Sequence, residues 1–172
     1  NRDLRLYASV FLPPLGSYPG STYNDITYDC FKGANTSDYY NKFALFNGYC
    51  PKKGCDPSII NNLGATPTYT PIMRYAEVLL SYLEALNEAQ PSAVDQDILD
   101  LTINDIRDRV KLTKLEKANM SQELIREAVR KERRVELAFE GLRYYDVLRW
   151  GIAEKELNHT FTGVKLSDDP KA

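Results

Sequence analysis

From residue 70 onward, apolar residues recur at the three- and four-residue spacing that is typical of amphipathic helices. The pattern predicts a first helix from Pro71 to about Ala89. Thr70 can cap this helix, and Pro71 suits its first position because the N–H that proline lacks would have no partner there. The apolar stripe of the predicted helix consists of Ile72, Tyr75, Ala76, Leu79, Leu80, Leu83 and Leu86.

Three further helices follow at the same periodicity. Pro91 restarts the chain before the second helix. Ser121 can cap the third, which is expected to end at Gly141, and a shorter fourth helix covers about Leu142 to Glu156. The expected stripes are Ile98, Leu99, Thr102, Ile103, Ile106 and Val110 in the second helix, and Leu124, Ile125, Ala128, Val129, Val135 and Phe139 in the third. Short connections between such helices favour antiparallel pairs, so the predicted fold class is mainly α.

Residues 1–70 differ in composition from the helical region, because they hold six of the nine Gly and eight of the twelve Tyr. This composition is typical of loops and short strands. Leu4–Leu12 and Lys42–Tyr49 are candidate extended segments. We expect residues 1–70 to form an irregular, loop-rich part of the same domain as the helical region 71–172.

Several charged residues lie inside the apolar arcs of the predicted helices. A helical wheel places Glu132 and Glu136 within the buried arc of the third helix, and Arg109 within that of the second. Since an unpaired buried carboxylate would be strongly unfavourable, these groups should meet arginines. The predicted structural ion-pair network consists of Glu77, Arg109, Glu132, Glu136, Glu140, Arg143 and Arg149.

A catalytic interpretation of the same glutamates is the alternative. Glu132, Glu136 and Glu140 recur every four residues, which brings their Cβ atoms to about 5–6 Å, within the range of a retaining glycosidase's carboxyl pair. Such a pair needs an open cleft, whereas these glutamates face a neighbouring helix. His159 has no Ser, Cys or Asp pattern around it, and no phosphate-binding loop occurs, so we predict no enzyme.

Net charge and cysteine spacing narrow the functional classes further. The net charge of -2, without a basic stripe, argues against a nucleic-acid partner. The chain has no signal peptide or 18-residue apolar run, so any targeting segment is expected to lie outside this chain. Cys50 and Cys55 could close a short disulfide loop, with Cys30 left over. The cysteine spacing matches no metal-ligand pattern, and we predict neither a metal nor a cofactor.

Several segments resemble the SusD/RagB family in order and spacing. Pro71–Leu80, continued by Glu84–Glu88, resembles the family's signature helix, and Ile103–Val110 resembles the next one. Arg130–Gly151 is the most specific match. Asp3–Leu6 also resembles a family segment, so the resemblance covers nearly all of the chain.

The resemblance implies a helical protein with tetratricopeptide-like helix pairs over residues about 71–156. It also implies non-catalytic binding of polysaccharide or oligosaccharide ligands, or other nutrients, at the bacterial outer-membrane surface. The implied protein partner is a SusC-like TonB-dependent transporter, and the implied membrane contact is a lipid anchor outside this chain. The chain departs from full family members in lacking the lipobox cysteine and the N-terminal helical portion. A helical-repeat scaffold that binds only proteins is the alternative function.

In such proteins the matched glutamates and arginines organise the fold, so sugar contacts are expected elsewhere. Flat sugar faces pack on aromatic rings, and amides and carboxylates take the hydroxyls. The tyrosine-rich first region offers this chemistry. The candidate ligand-binding residues are Tyr39, Tyr40, Asn41, Tyr23 and Tyr28. The alternative for each tyrosine is a place in a loop-rich core with a hydrated hydroxyl.

Overall fold

The computed structural model describes residues 3–12, 51–54 and 71–160, together with the backbone alone of 22–23, 26–27 and Cys50. Within these residues the chain is mainly α-helical, which confirms the predicted fold class. No described helix has the length and apolar character that crossing a lipid bilayer requires.

The chain divides into two compact units. The first comprises Asn1–Arg5 and Thr70–Trp150, and the second comprises Leu6–Tyr69 and Gly151–Ala172. The sequence-based proposal of a single domain stays a prediction.

The N-terminal segment begins with a short helix rather than a strand. Helix α1 covers Leu4–Ser9 and strand β1 covers only Val10–Phe11, so the expectation of an extended Leu4–Leu12 is wrong for most of its length. The Asp3 carboxylate accepts the backbone N–H of Arg5 at 2.9 Å. This bond caps the first turn, which explains why the chain starts as a helix.

Short antiparallel strand pairs complete the N-terminal part that the structure describes. Strand β1 pairs with β4, Cys50–Pro51, and β2, Thr22–Tyr23, pairs with β3, Ile26–Thr27. The predicted extended segment 42–49 lies outside the described residues.

The helical part of the first unit begins with α2, Tyr75–Ala89. A 3-10 turn at Pro91–Ala93 leads into one continuous helix built from α3, a π turn and α4. Its parts are Gln96–Leu99 (α3), Asp100–Asn104 (π turn) and Asp105–Arg109 (α4). A 3-10 turn at Lys117–Asn119 precedes α5, Gln122–Glu136, and α6 covers Arg143–Arg149. In the second unit, α7 covers Ala153–Leu157.

Helices α2 and α5 lie antiparallel. Near the end of α2, the Asn87 amide donates to the backbone oxygen of Gln122 at the start of α5, at 3.1 Å. Near the start of α2, Arg74 donates to Glu136 at the end of α5. Because the end of each helix contacts the start of the other, the two helices run in opposite directions.

One apolar core joins α2, the π-containing helix and α5. Its buried members are Leu79, Leu80, Leu83, Val94, Leu99, Ile103, Ile106, Ile125 and Val129. Each such aliphatic side chain contributes about 2 kcal/mol when it leaves water. The core therefore fixes the three helices side by side and positions the charged groups at their ends.

The structure corrects three helix boundaries. Helix α2 begins at Tyr75 rather than Pro71, because the backbone of Arg74 is extended (φ -115°, ψ 153°), and Ile72 is fully exposed. The proposed cap Thr70 lies outside the described residues. By contrast, the hydroxyl of Ser121 accepts the N–H of Leu124, so the predicted cap of α5 is confirmed.

The other two boundaries lie after α5. This helix ends at Glu136 rather than Gly141, because Phe139 has a left-handed backbone (φ 65°) and is exposed rather than buried. The predicted fourth helix is split into α6 and α7, and Gly151 between them also has a positive φ of 64°. A left-handed residue cannot continue a right-handed helix, which explains both breaks.

Candidate functional site

Two carboxylates of α5, those of Glu132 and Glu136, lie one helical turn apart and are each only 3% exposed. The Nη1 atom of Arg5 donates to Glu132 Oε1 and, at 3.2 Å, to Glu136 Oε2. Arg107 Nη1 donates to the other oxygen of Glu132 at 3.1 Å. The guanidinium of Arg5 therefore lies between the two carboxylates and binds both.

Glu136 accepts hydrogen bonds from two further arginines. Arg109 Nη2 lies 2.6 Å from its Oε1 atom, and Arg74 Nη1 lies 3.1 Å from the same atom. Arg74 also donates to the backbone oxygen of Glu136 and forms a two-point ion pair with Glu140, at 2.9 and 2.7 Å. Thus Arg74 ties the start of α2 to the end of α5.

These side chains form a charge-balanced group that we call the carboxylate cluster. Its members are Asp3, Glu132, Glu136 and Glu140 together with Arg5, Arg74, Arg107 and Arg109. Hydrogen bonding to the Arg5 side chain lowers the pKa of Asp3, and burial opposes this effect. Burial lowers the pKa of Arg5, but hydrogen bonding to Asp3 and the charge of Glu132 outweigh it and hold that pKa above its ordinary value.

The geometry of the cluster bears on the catalytic alternative. A glycosidase pair must leave room for the sugar or an attacking water between its carboxyl groups. Here the Arg5 guanidinium fills that space between Glu132 and Glu136. Both acceptors are also almost completely buried, so the pair cannot flank a glycosidic bond.

A second ion-pair cluster, the Trp150 cluster, joins α2, α5 and α6. Arg133 donates to both oxygens of Asp146, at 3.0 and 3.1 Å, and both side chains are buried. Arg149 binds Asp146 at 2.9 Å and forms a two-point pair with Glu84, at 2.5 and 2.7 Å. Trp150 Nε1 donates to Glu84 at 2.6 Å.

Electrostatics keep Glu84 charged in this cluster. Burial raises the pKa of Glu84, but hydrogen bonds from Arg149 and Trp150 outweigh burial and hold the pKa below its ordinary value. The Trp150 ring also faces three guanidinium groups, those of Arg149 at 4.8 Å, Arg130 at 5.0 Å and Arg143 at 5.8 Å from the ring centre. The indole therefore contacts cations with its ring and an anion with its N–H.

The structure differs from the prediction at two of the network residues. Arg109 pairs with Glu136, but it does not lie in a buried stripe, because its side chain is 58% exposed and reaches Glu136 from the solvent side. The π turn widens the helix just before α4, so an angle of 100° per residue no longer applies at Arg109. Glu77 makes no ion pair within the described part of the chain, since the nearby Arg74 is directed to Glu136 and Glu140.

Sequence reasoning missed most of the arginines that hold the buried carboxylates. The network carboxylates bind three arginines that were not in the predicted set. The carboxylates are those of Glu132, Glu136 and Glu140, and the arginines are Arg5, Arg74 and Arg107. The signal that could have found them is the family resemblance, which includes Asp3–Leu6, Pro71–Leu80 and Ile103–Val110. The buried Arg133–Asp146 pair was also missed, although both residues lie in the segment of strongest resemblance.

A sequence model of the SusD family matches residues 1–169, in line with the three helical segments and the paired charges that join them. The chain belongs to the SusD family. SusD-like protein P2 of Formosa agariphila is 39% identical over 95 residues, which are 52% of this chain and 18% of that protein.

Solved structures resemble this SusD-family chain as well. A SusD-like carbohydrate-binding protein from Bacteroides fragilis superposes with a TM-score of 0.68 at 33% identity, over 90% of this chain and 30% of that one. A SusD homologue from Bacteroides thetaiotaomicron gives a TM-score of 0.56 at 25% identity, over 96% of this chain and 34% of that one. The chain therefore spans about a third or less of each of these proteins.

The candidate sugar-binding residues of this SusD-family chain are not placed by the structure. Tyr28, Tyr39, Tyr40 and Asn41 lie outside the described residues, and Tyr23 is described only by its backbone in β2. The cysteine pairing lies outside the described residues too.

Proposed function

We propose that this SusD-family chain belongs to a non-catalytic protein that binds glycans at the bacterial cell surface. The observation that carries the proposal is the family match over residues 1–169 together with the likeness to a carbohydrate-binding protein at 33% identity. The charged residues are compatible with this proposal, because the paired glutamates are bound by arginines and are each only 3% exposed.

The proposal assigns the buried glutamates of the carboxylate cluster to the fold and the main sugar contacts to aromatic residues. Glu132, Glu136 and their arginines hold α2, α4 and α5 together. Tyr39, Tyr40, Asn41, Tyr23 and Tyr28 remain the proposed ligand-binding residues of the first region, for the reason that aromatic faces and amides match sugar chemistry.

The proposal also includes a location and a protein partner. The bound glycan passes to a SusC-like TonB-dependent transporter in the outer membrane, and the protein is held there by a lipid anchor outside this chain. Family membership supports this arrangement. Co-purification of the transporter from detergent-solubilised outer membranes tests it, and loss of the partner in every detergent would contradict it.

Glycan binding itself is tested on the family-length protein. We expect isothermal titration calorimetry and affinity electrophoresis to detect binding to at least one member of a panel of plant, algal, microbial and host polysaccharides. The protein should release no reducing ends from the polysaccharide that it binds. Absence of binding across the panel, or release of sugar, would contradict the proposed function.

A helical scaffold that binds only proteins is the second candidate. The observation that favours it is the outward face of α2, where Val78 is 44% exposed and Tyr82 is 46% exposed. Apolar surface of this kind is used in protein contacts. Under this alternative the same glycan panel gives no binding, while the transporter still co-purifies.

A further inference from the structure

A cleft of about 650 Å³ lies in the first unit between the start of α2 and α4. Its volume falls in the range of about 300–1,000 Å³ that is usual for small-molecule sites. The cleft lies on the solvent side of the carboxylate cluster, and Glu136 and Arg74 form part of its wall. We call it the α2–α4 cleft.

The walls of the α2–α4 cleft combine an aromatic ring with exposed carboxylates. Tyr75, the first residue of α2, is 69% exposed, so a ring face is available. Asp105 and Asp108 are three residues apart on α4, which puts them on one side of the helix, and both are exposed. Ala76, Leu79 and Ile106 supply the apolar part of the lining.

Arg109 adds hydrogen-bond donors to the same cleft. Its Nη2 atom donates to Glu136 at 2.6 Å, which anchors one end of the guanidinium. The Nε and Nη1 atoms of Arg109 have no acceptor among the described residues. A positioned donor therefore lies beside two exposed acceptors and an aromatic face.

We infer that the α2–α4 cleft is a subsite for a neutral glycan, an inference that rests on the proposed function. A pyranose ring can pack its apolar face on Tyr75 while its hydroxyls donate to Asp105 and Asp108 and accept from Arg109. A hydroxyl both donates and accepts hydrogen bonds, so it suits a site that offers donors and acceptors side by side.

The charge of the cleft argues against an acidic glycan. Arg74 is already bound to Glu136 and Glu140, and Arg109 is already bound to Glu136. The exposed carboxylates of Asp105 and Asp108 would repel a uronate or a sulfate. The nearest compensation for Asp108 is Lys114, whose Nζ lies 3.7 Å away in an exposed pair, and such pairs contribute little.

The test compares variants of the family-length protein by calorimetry. The probes are hexasaccharides of glucose, xylose, mannose and N-acetylglucosamine, with hexagalacturonate as the acidic probe. Tyr75→Ala should weaken binding of the preferred neutral hexasaccharide about tenfold, while Tyr75→Phe retains it. The Asp105→Asn/Asp108→Asn double variant should weaken it about tenfold as well, because hydrogen bonds to charged acceptors are lost.

Matched controls are Tyr82→Ala, an exposed tyrosine on the same helix, and Asp97→Asn, an exposed aspartate on α3. Both should bind as the wild type does, and all variants should keep the wild-type melting temperature because the altered side chains are exposed. If the cleft variants bind like the wild type, or if hexagalacturonate is preferred, the inferred subsite is wrong while the proposed function stands. If the wild type binds no glycan, both are wrong.

Discussion

Glu136 illustrates what a single residue does in this protein. Its side chain accepts hydrogen bonds from Arg5, Arg74 and Arg109, which come from three separate parts of the chain. Removing charges from water is costly, so the net stability of a buried ion pair is small, but loss of one partner is strongly unfavourable. The role of such a residue is therefore to select one arrangement of helices over others.

At the same scale, the protonation of Glu84 should be observable in the fluorescence of Trp150. The pKa of Glu84 is held below its ordinary value of 4.5 by Arg149 and Trp150. A lowered pKa means that Glu84 stabilises the fold above pH 4.5, and that this contribution is lost as the pH falls through the lowered pKa. Because the chain contains one Trp, bonded to Glu84, its fluorescence emission should change in that lower pH range.

Glu84→Gln is the matched variant for this titration. It keeps the size of the side chain and an acceptor oxygen but removes the ionisation. The emission of Trp150 should then show no transition below pH 4.5. A transition that persists unchanged in Glu84→Gln would contradict the assignment.

At the scale of the element, the π turn Asp100–Asn104 explains how a surface loop is held. Asn104 is completely buried, and its amide donates to the Leu115 backbone oxygen at 2.9 Å and accepts the Leu115 N–H at 2.6 Å. Gln96 makes the same kind of pair with the backbone of Leu115 and Lys117, at 3.1 and 2.8 Å. Two side-chain amides thus give the backbone groups of this loop the hydrogen bonds that a neighbouring strand would otherwise provide.

Replacing the buried amide should release the loop. Asn104→Ala leaves the backbone N–H of Leu115 without its acceptor and the Leu115 oxygen with Gln96 as its remaining donor, which should lower the free energy of unfolding by about 2 kcal/mol. Urea denaturation measures this loss, and amide hydrogen exchange at Leu115 should accelerate. Asn119→Ala is the control because Asn119 is exposed and its side chain, among the residues that the structure describes, bonds only to Glu116. Equal effects of the two substitutions would show that the hydrogen bonds between Asn104 and Leu115 are unimportant for stability.

Element boundaries show where sequence reasoning works and where it stops. The cap at Ser121 could be predicted, because the N-cap interaction is local. The end of α5 could not, since the left-handed backbone of Phe139 occurs at a residue that rarely adopts it. No simple pattern of residues predicts the π turn either. Because of this turn, the helical wheel placed Arg109 on the buried side, whereas its side chain is exposed.

At the scale of the whole molecule, the same distinction applies to the candidate site. The wheel places Glu132 and Glu136 on the inner face of their helix, which needs only the helical period. Their main partner Arg5 is separated from Glu132 by 127 residues, and no local pattern indicates such a contact. Family resemblance supplies what periodicity cannot, because it relates distant segments to one fold.

The central role of the buried glutamates is to hold helices together rather than to perform chemistry. Glu136→Gln removes a buried carboxylate charge that Arg5, Arg74 and Arg109 share, and should lower the free energy of unfolding by about 3 kcal/mol. The control is Glu127→Gln, an exposed glutamate on the same helix, which should have little effect.

Urea denaturation of these two variants beside the wild type, with a reducing-end assay on the polysaccharide that the protein binds, is the most direct measurement. We expect a marked loss of stability for Glu136→Gln alone and no hydrolysis by any of the three proteins. An unchanged stability of Glu136→Gln, or wild-type hydrolysis that this substitution abolishes, would contradict the account.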